Sequence, residues 1–294
     1  RATPMDVDKI SGGLDGMQLN FIKTLHEEVI IDYIGYGCEN FGSYNVNLFS
    51  IDRKIDEKYN IGHTNKIKRI ITSLVDKHSY HAVVVVVEST TTILTHLKEI
   101  NYIDKTFNLL ASPFNPTIRG LANTWSSVVE CHKLGGTNLV PTQTFKKLAD
   151  TVYKNSKNSP ITDMIDFDYW NSVESVISEN MFPPYTINES VVLPSDGNTI
   201  QVQRYDVAFR KTNVALQSMF DSNKPYLAYL PTQWQPPKKY MKENVFIGED
   251  YKVIQSKLGT SEVLINTCHD TGTVEHASLE AISKGVPVLQ LLLE

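Results

Sequence analysis

The residues best suited to chemistry lie near the carboxyl end of the chain, in a polar, glycine-containing loop and the helix expected after it. They are His269, Gly272, Thr273, Glu275 and Glu280. His269 precedes Asp270, and a carboxylate beside an imidazole can orient it as an acid, a base or a hydrogen-bond partner of a hydroxyl group. Glu275 and Glu280 are five residues apart, so about 500° of helix rotation leaves their side chains roughly 140° apart. The two carboxylates therefore need not contact the same atom.

Each of these side chains also has a role that requires no ligand. His269 can cap its own loop, and Glu275 falls in the first helical turn, where the helix dipole stabilises a negative charge. Glu280 can be a solvated carboxylate in mid-helix. No cluster of His and Cys with the spacing of metal ligands accompanies His269, so we expect no metal site and no cofactor.

A second candidate is the glycine turn Ser11–Gly16, which contains Gly12 and Gly13 and precedes an apolar-periodic helix. Glycines let the backbone approach a ligand closely, and the free N–H groups at a helix start favour an anion such as a diphosphate. The turn matches neither the G-x-G-x-x-G pattern nor a Walker loop. A plain turn between a strand and a helix is therefore the alternative.

The elements that must position these residues alternate along the chain. Strands are expected at Val29–Tyr36, Ala82–Val87, Phe107–Ala111, Asn138–Val140, Tyr226–Leu230, Asn244–Ile247, Val263–Asn266 and Val286–Leu292. Helices are expected at Gly16–His26, Asn65–Lys77, Thr91–Ile100, Arg119–Lys133, Thr142–Tyr153, Tyr169–Ser178, Asp206–Phe220, Asp250–Leu258 and Thr273–Lys284. Continuous apolar strands separated by amphipathic helices predict an α/β fold with parallel sheets covered on both faces.

A polar break at Asn155–Pro160 predicts a domain edge. We expect an amino-terminal domain over 1–155, a linker or insertion over 156–205, and a carboxyl-terminal domain over 206–294. Within the linker, Val191–Leu193 and Thr199–Gln203 flank a turn sequence and predict a small hairpin. We also expect the chain to be part of a longer protein, because a doubly wound domain normally has a strand before its first glycine turn.

Composition narrows the class of protein. The chain has 294 residues, with 28 Lys and Arg against 33 Asp and Glu, and 41% of its residues are hydrophobic. These values match an ordinary globular protein and argue against disordered, collagen-like or coiled-coil chains. A net charge of −5 argues against a protein that coats nucleic acid generally. The three cysteines are widely separated, which favours a reducing compartment, the cytoplasm, over a disulfide framework.

The stretch Val274–Val288, where Leu-Glu-Ala is followed by Gly-Val-Pro-Val-Leu, resembles the donor-binding helix and strand of GT-B glycosyltransferases. The resemblance implies two Rossmann-like domains facing across a cleft, with Glu280 on the ribose hydroxyls of a nucleotide-sugar donor. The common pattern of the retaining enzymes has a glutamate eight positions earlier, where this chain has Gly272. The resemblance then leaves Glu275 and His269 as contacts to the transferred sugar. Two glutamates at this closer spacing are similar to those of the T-even bacteriophage DNA α-glucosyltransferases.

Other segments fit the same family. The Gly12 and Gly13 turn is similar to the family's glycine loop, and Val245–Asp250, which contains Gly248, resembles the strand and glycine near the nucleobase. The family commonly presents a basic residue to the donor diphosphate at the end of the first strand of this domain. Lys238 or Lys239 suits that role because a compact cation matches phosphate oxygens; an exposed basic loop is the alternative.

The resemblance implies that the chain transfers a sugar from a nucleotide-diphosphate donor, with UDP favoured, and retains the anomeric configuration without a metal ion. The acceptor it suggests is a hydroxymethylated base in phage DNA, which would have to leave the base stack to react. A polysaccharide, lipid or protein acceptor is the alternative. A sugar-nucleotide epimerase and an inactive GT-B binding module remain open as well. Basic clusters such as Lys66–Arg69 either line the path of an acidic acceptor or are solvated helix faces.

Overall fold

The computed structural model describes residues 13–36, 41–51, 61–86, 91–109, 118–140, 143, 146–147, 167–172, 179–180, 194–202, 212–230, 237–266 and 276–290. Its strands are β1 (Ile31–Tyr36), β2 (Val46–Ile51), β3 (Val83–Val86), β4 (Thr106–Leu109), β5 (Thr137–Val140), β6 (Glu179–Asn180), β7 (Thr199–Val202), β8 (Tyr226–Leu230), β9 (Val245–Ile247), β10 (Val263–Asn266) and β11 (Val288–Gln290). Its α-helices are α1 (Gly13–Leu25), α2 (Ile61–Val75), α3 (Thr91–Glu99), α4 (Ile118–Leu134), α5 (Phe167–Ser172), α6 (Thr212–Asp221), α7 (Tyr251–Thr260) and α8 (His276–Ser283).

Most predicted elements lie within a few residues of their observed limits, and β8 and β10 have the predicted limits. Strand β2 was not predicted. The predicted helix Thr142–Tyr153 lies mostly outside the described residues, of which 143, 146 and 147 are helical.

The strands of the amino-terminal part form two parallel sheets. Strand β1 pairs with β2, and a second sheet has the order β3-β4-β5-β6. Leu94 and Leu97 of α3 pack with Ile103 and Cys131 in a buried cluster that also contacts β3. Burial raises the pKa of the Cys131 thiol to about 12, so this cysteine is a core residue rather than a nucleophile.

The strands of the carboxyl-terminal part form one parallel sheet in the order β11-β10-β7-β8-β9. If these five strands are numbered 1 to 5 along the chain, so that β7 is strand 1, their order from the β9 edge is 3-2-1-4-5. This is the strand order of the Rossmann fold. Strand β7 pairs with β8 on one side and β10 on the other, and both pairings are parallel. The predicted hairpin at Thr199–Gln203 is therefore wrong, because both edges of β7 are occupied by other strands. The predicted linker 156–205 supplies β6 to one sheet and β7 to another, while the domain limits stay predictions.

Helices cover both faces of this sheet, as the alternation predicted. On one face, Ile200 and Leu264 pack against Leu258 of α7 and Ala281 of α8. On the other, Ala228 and neighbouring strand residues pack against α6. We call β7–β11 with α6–α8 the carboxyl-terminal lobe.

Helix α8 ends at the predicted glycine. Gly285 has φ +74°, and its N–H donates to the Ile282 carbonyl at 3.0 Å, while the Val286 N–H donates to the Ala281 carbonyl at 2.9 Å. This pair of bonds is the Schellman motif, which a glycine in the left-handed region permits. It turns the chain from α8 directly into β11. None of the helices in the described ranges is long and apolar enough to cross a membrane.

Candidate functional site

The carboxyl-terminal lobe has a topological switch point between β7 and β10, because the chain continues to β8 on one side of β7 and to β10 on the other. Ligands of open α/β sheets bind in the crevice outside the carboxyl ends of the strands at such a point. Asn266 is the last residue of β10, and its Nδ2 donates to Ser278 Oγ of α8 at 2.7 Å. This bond holds α8 to the end of β10 at the switch point.

Glu280 is a buried carboxylate on α8, with 4% of the residue exposed. Gln255 Nε2 of α7 donates to its Oε2 at 2.6 Å. A buried carboxylate is costly unless hydrogen bonds satisfy it. The alternative of a solvated mid-helix glutamate is therefore wrong for Glu280, which is buried in the helix layer of the carboxyl-terminal lobe.

The charge of a lysine from the amino-terminal part acts on the same carboxylate. Helix α1 packs against α8, and Lys23 in the last turn of α1 interacts electrostatically with Glu280. Burial lowers the pKa of the Lys23 ammonium, and the negative charge of Glu280 opposes that shift. The helix that begins at Gly13 and the helix that carries Glu280 are thus neighbours, although Lys23 lies ten residues, about 15 Å of helix, beyond Gly13.

We predict that Gln255→Leu lowers the free energy of unfolding by about 1.5–3 kcal/mol, because it removes a hydrogen bond to a buried charged group. Urea denaturation measures this change. Ser256→Ala, at an exposed position of the same helix, is the matched control and should change stability by less than about 0.5 kcal/mol. Equal stabilities of the two variants would contradict the role given to the Gln255 amide.

Gly248 lies at the carboxyl edge of this sheet, directly after β9. Its φ is +70°, a conformation that glycine adopts without strain, and its N–H donates to the carbonyl of Leu230, the last residue of β8, at 2.9 Å. Asp250 then caps α7 by accepting the Lys252 N–H at 2.8 Å. The predicted position of Gly248 beside a donor stays a prediction.

Lys238 and Lys239 lie in a 3-10 turn (Lys238–Tyr240) within the crossover from β8 to β9. Lys239 Nζ donates to Gln217 Oε1 of α6 at 2.8 Å and lies 4.6 Å from the centre of the Tyr240 ring. The Tyr240 hydroxyl donates to the same Gln217 oxygen. These contacts hold Lys239 to α6 rather than to α8, and its role at a diphosphate stays a prediction.

Several predicted site residues lie outside the described residues: Gly12, His269, Gly272, Thr273 and Glu275. Gly13 is described as the first residue of α1. In the ranges that the structure covers, no group of three or more His, Cys, Asp or Glu is placed to hold a metal ion. The predicted independence of metal stays a prediction.

Sequence reasoning missed Gln255 and Lys23. Gln255 is 25 positions from Glu280, and Lys23 lies on a helix near the other end of the chain. The sequence offered one indication of the Gln255 contact. The alternation of strands and helices places α7 and α8 in one helix layer, where their polar side chains can pair.

The sequence matches no protein-family model and no curated protein. The fold does match solved structures along nearly its whole length. HepE from Anabaena, in complex with UDP and glucose, aligns with a TM-score of 0.58 and 11% identity over 98% of this chain and 79% of that one. The E. coli trehalose-6-phosphate structure with UDP-2-fluoro glucose bound aligns with a TM-score of 0.56 and 13% identity, over 98% of this chain and 82% of that one. The apo lipopolysaccharide outer core galactosyltransferase WaaB aligns with a TM-score of 0.52 and 12% identity, over 98% of this chain and 78% of that one.

The fold is GT-B. The predicted α/β architecture of two Rossmann-like domains is confirmed, and α1 of the amino-terminal part contacts α8 of the carboxyl-terminal lobe. At 11–13% identity, the likeness concerns the fold, and no similarity to the phage DNA glucosyltransferases is found among these structures.

Proposed function

We propose that this protein is a glycosyltransferase, which transfers a sugar from a nucleotide-diphosphate donor, UDP being favoured, to an acceptor hydroxyl. The observation that carries the proposal is the buried, hydrogen-bonded Glu280 on the helix that follows the switch point of a Rossmann-order sheet. Two of the structures with the same fold contain UDP or a UDP-sugar. Their ligands support a nucleotide donor for this chain.

In this proposal Glu280 accepts the ribose hydroxyls. Gln255 already occupies Oε2, which orients the carboxylate in advance of binding and reduces the ordering needed when the donor arrives. Gly248 lets the nucleobase approach the edge of β9 closely. Glu275 and His269 contact the transferred sugar.

The chemical step depends on the diphosphate that leaves. Negative charge grows on a diphosphate oxygen as the bond between that oxygen and the anomeric carbon of the sugar breaks. Preorganised N–H donors and cations stabilise that charge. We assign this role to the amides of Gly12, Gly13, Gly272 and Thr273 with Lys238 or Lys239. Retention of configuration and catalysis without a metal ion belong to the same proposal, and rest on the resemblance of Val274–Val288.

For the acceptor we propose a hydroxymethylated base in phage DNA, with transfer in the host cytoplasm. This part rests on the two closely spaced glutamates alone. Polysaccharide, lipid and protein acceptors are the alternatives that an acceptor screen separates.

A thermal-shift panel of UDP-, GDP- and ADP-glucose tests the donor. At a hundredfold excess over its Kd, the correct donor should stabilise the protein by about 2.7 kcal/mol, and mass spectrometry should then detect sugar on one class of acceptor. No shift with any nucleotide sugar overturns the proposal. Turnover of the donor without an acceptor identifies an epimerase instead, and binding without any turnover identifies a binding module.

A further inference from the structure

The amino-terminal part of the protein has a groove between α2 and α3 that the donor site does not explain. Its cavity is about 420 Å³, and its lining residues are Lys68, Arg69, Thr72, Ser73, Asp76, Lys77 and His96. Lys68 and Thr72 are four residues apart, in one row along α2, and Asp76 lies in the turn directly after the helix. The groove is therefore lined by a strip of polar side chains along α2, and His96 of α3 lies on its other side.

The charge of the groove is opposite to that of the whole chain. Three cations, Lys68, Arg69 and Lys77, and one carboxylate, Asp76, line it, with Glu99 next to His96, in a protein with a net charge of −5. A concave surface lined by charges of one sign concentrates ligands of the other sign. The groove is thus suited to an anionic ligand.

One side-chain contact joins α2 to α3 in the groove, and a second lies within α3. Thr72 Oγ1 lies 3.0 Å from His96 Nε2, and His96 Nδ1 lies 3.4 Å from Glu99 Oε2. The His96 side chain is only 13% exposed. Lysine, arginine and threonine side chains such as those lining this groove are groups that bind phosphate oxygens in proteins.

The groove is also separate from the switch point. All of its lining residues belong to α2, the turn after it and α3 of the amino-terminal part, whereas the switch point lies between β7 and β10 of the carboxyl-terminal lobe.

We propose that this groove binds the phosphate group of a ligand other than the donor. The phosphate would lie over Thr72 and His96, between Lys68 and Arg69 at one end of the groove and Lys77 at the other. Such a phosphate belongs either to a small phosphate ester or to a phosphodiester strand, and both present the same oxygens to these side chains. The inference does not depend on the proposed glycosyl transfer.

The test uses the double variant Lys68→Glu/Lys77→Glu of the full chain. One arm measures inorganic phosphate binding by calorimetry at constant ionic strength, and the other measures anisotropy of a fluorescent single-stranded oligonucleotide over a salt series. In whichever arm the wild type binds, we expect the double variant to raise Kd by about tenfold or more. The control Lys98→Glu/Lys224→Glu makes the same change of charge at exposed positions outside the groove and should stay within about twofold of the wild type.

The outcomes distinguish a small phosphate ester from a phosphodiester strand, and they test the groove separately from the donor site. Binding of phosphate alone identifies a small ester as ligand, and binding of the strand identifies a phosphodiester; in either case the loss must be specific to the groove variant. No binding in either arm, or equal loss in the control, overturns the proposal. So does equally tight, groove-dependent binding of a sulfated polysaccharide, which would mark a general anion patch. UDP-glucose binding should be unchanged in the groove variant, whether or not the protein proves to be a transferase, and a loss there would contradict a separate site.

Discussion

Glutamine in place of Glu280 is expected to weaken the binding of a UDP-sugar by about 10- to 100-fold while leaving the protein folded. A hydrogen bond to a charged group is worth about 1.5–3 kcal/mol, and each 1.4 kcal/mol changes Kd about tenfold. The amide keeps the volume of the buried side chain and its carbonyl can still accept from Gln255. What it loses is the negative charge that ribose hydroxyls would meet. Calorimetric titration with the best donor of the thermal-shift panel measures the effect.

Glu262→Gln is the matched control for this experiment. Glu262 precedes β10, is exposed, and loses the same charge on substitution. Its Kd should remain within about twofold of the wild type. If Glu280→Gln binds the donor as tightly as Glu262→Gln does, the ribose contact is wrong, even if the protein turns out to be a glycosyltransferase through other residues.

Leu258→Ala should lower the free energy of unfolding of the carboxyl-terminal lobe by about 2–5 kcal/mol, the range for removing a fully buried leucine side chain from a core. Leu258 is 0% exposed and packs in one cluster with Ile200, Leu264 and Ala281. Its loss leaves a cavity beneath the two helices that carry Gln255 and Glu280. Urea denaturation should show a lower midpoint with little change in slope.

Val253→Ala is the control on the same helix, because Val253 is 42% exposed. Alanine has the higher helix propensity, so this variant should match the wild type or exceed it by a few tenths of a kcal/mol. A Leu258→Ala protein as stable as Val253→Ala would mean that α7 does not pack on β7 and β10 as described.

The sequence predicted the elements whose signal is local. Strand β8 has the predicted limits because it is a run of apolar and aromatic residues between polar turns. Strand β2 was missed because Asn47 and Ser50 interrupt its apolar pattern, and its partner β1 leaves much of it half exposed. Thr199–Val202 was assigned to a hairpin because a turn sequence precedes it, whereas β7 is the central strand of its sheet. Strand order depends on distant pairings, which local patterns do not record.

In the candidate site, too, the features with a local sequence signal were predicted and those that depend on tertiary contacts were not. Glu280 was found by its motif, and the end of its helix was marked by Gly285. Its burial and its bond from Gln255 arise only when α7 and α8 pack side by side on the sheet. The charge of Lys23 reaches it only after the two ends of the chain meet. Neither neighbour could be predicted from spacing, because both depend on tertiary contacts.

The central place of β7 has a consequence for synthesis on the ribosome. Its partner β8 follows within a few tens of residues, but β10 begins only at Val263, about 60 residues after β7 ends. At translation rates of about 5–20 residues per second, one side of β7 waits several seconds for its neighbour. Throughout that interval a nascent chain displays an open row of backbone donors and acceptors beside Ile200 and Val202, which other chains can pair with. Slower growth at low temperature and chaperone supply are therefore the variables that should govern the yield of folded protein.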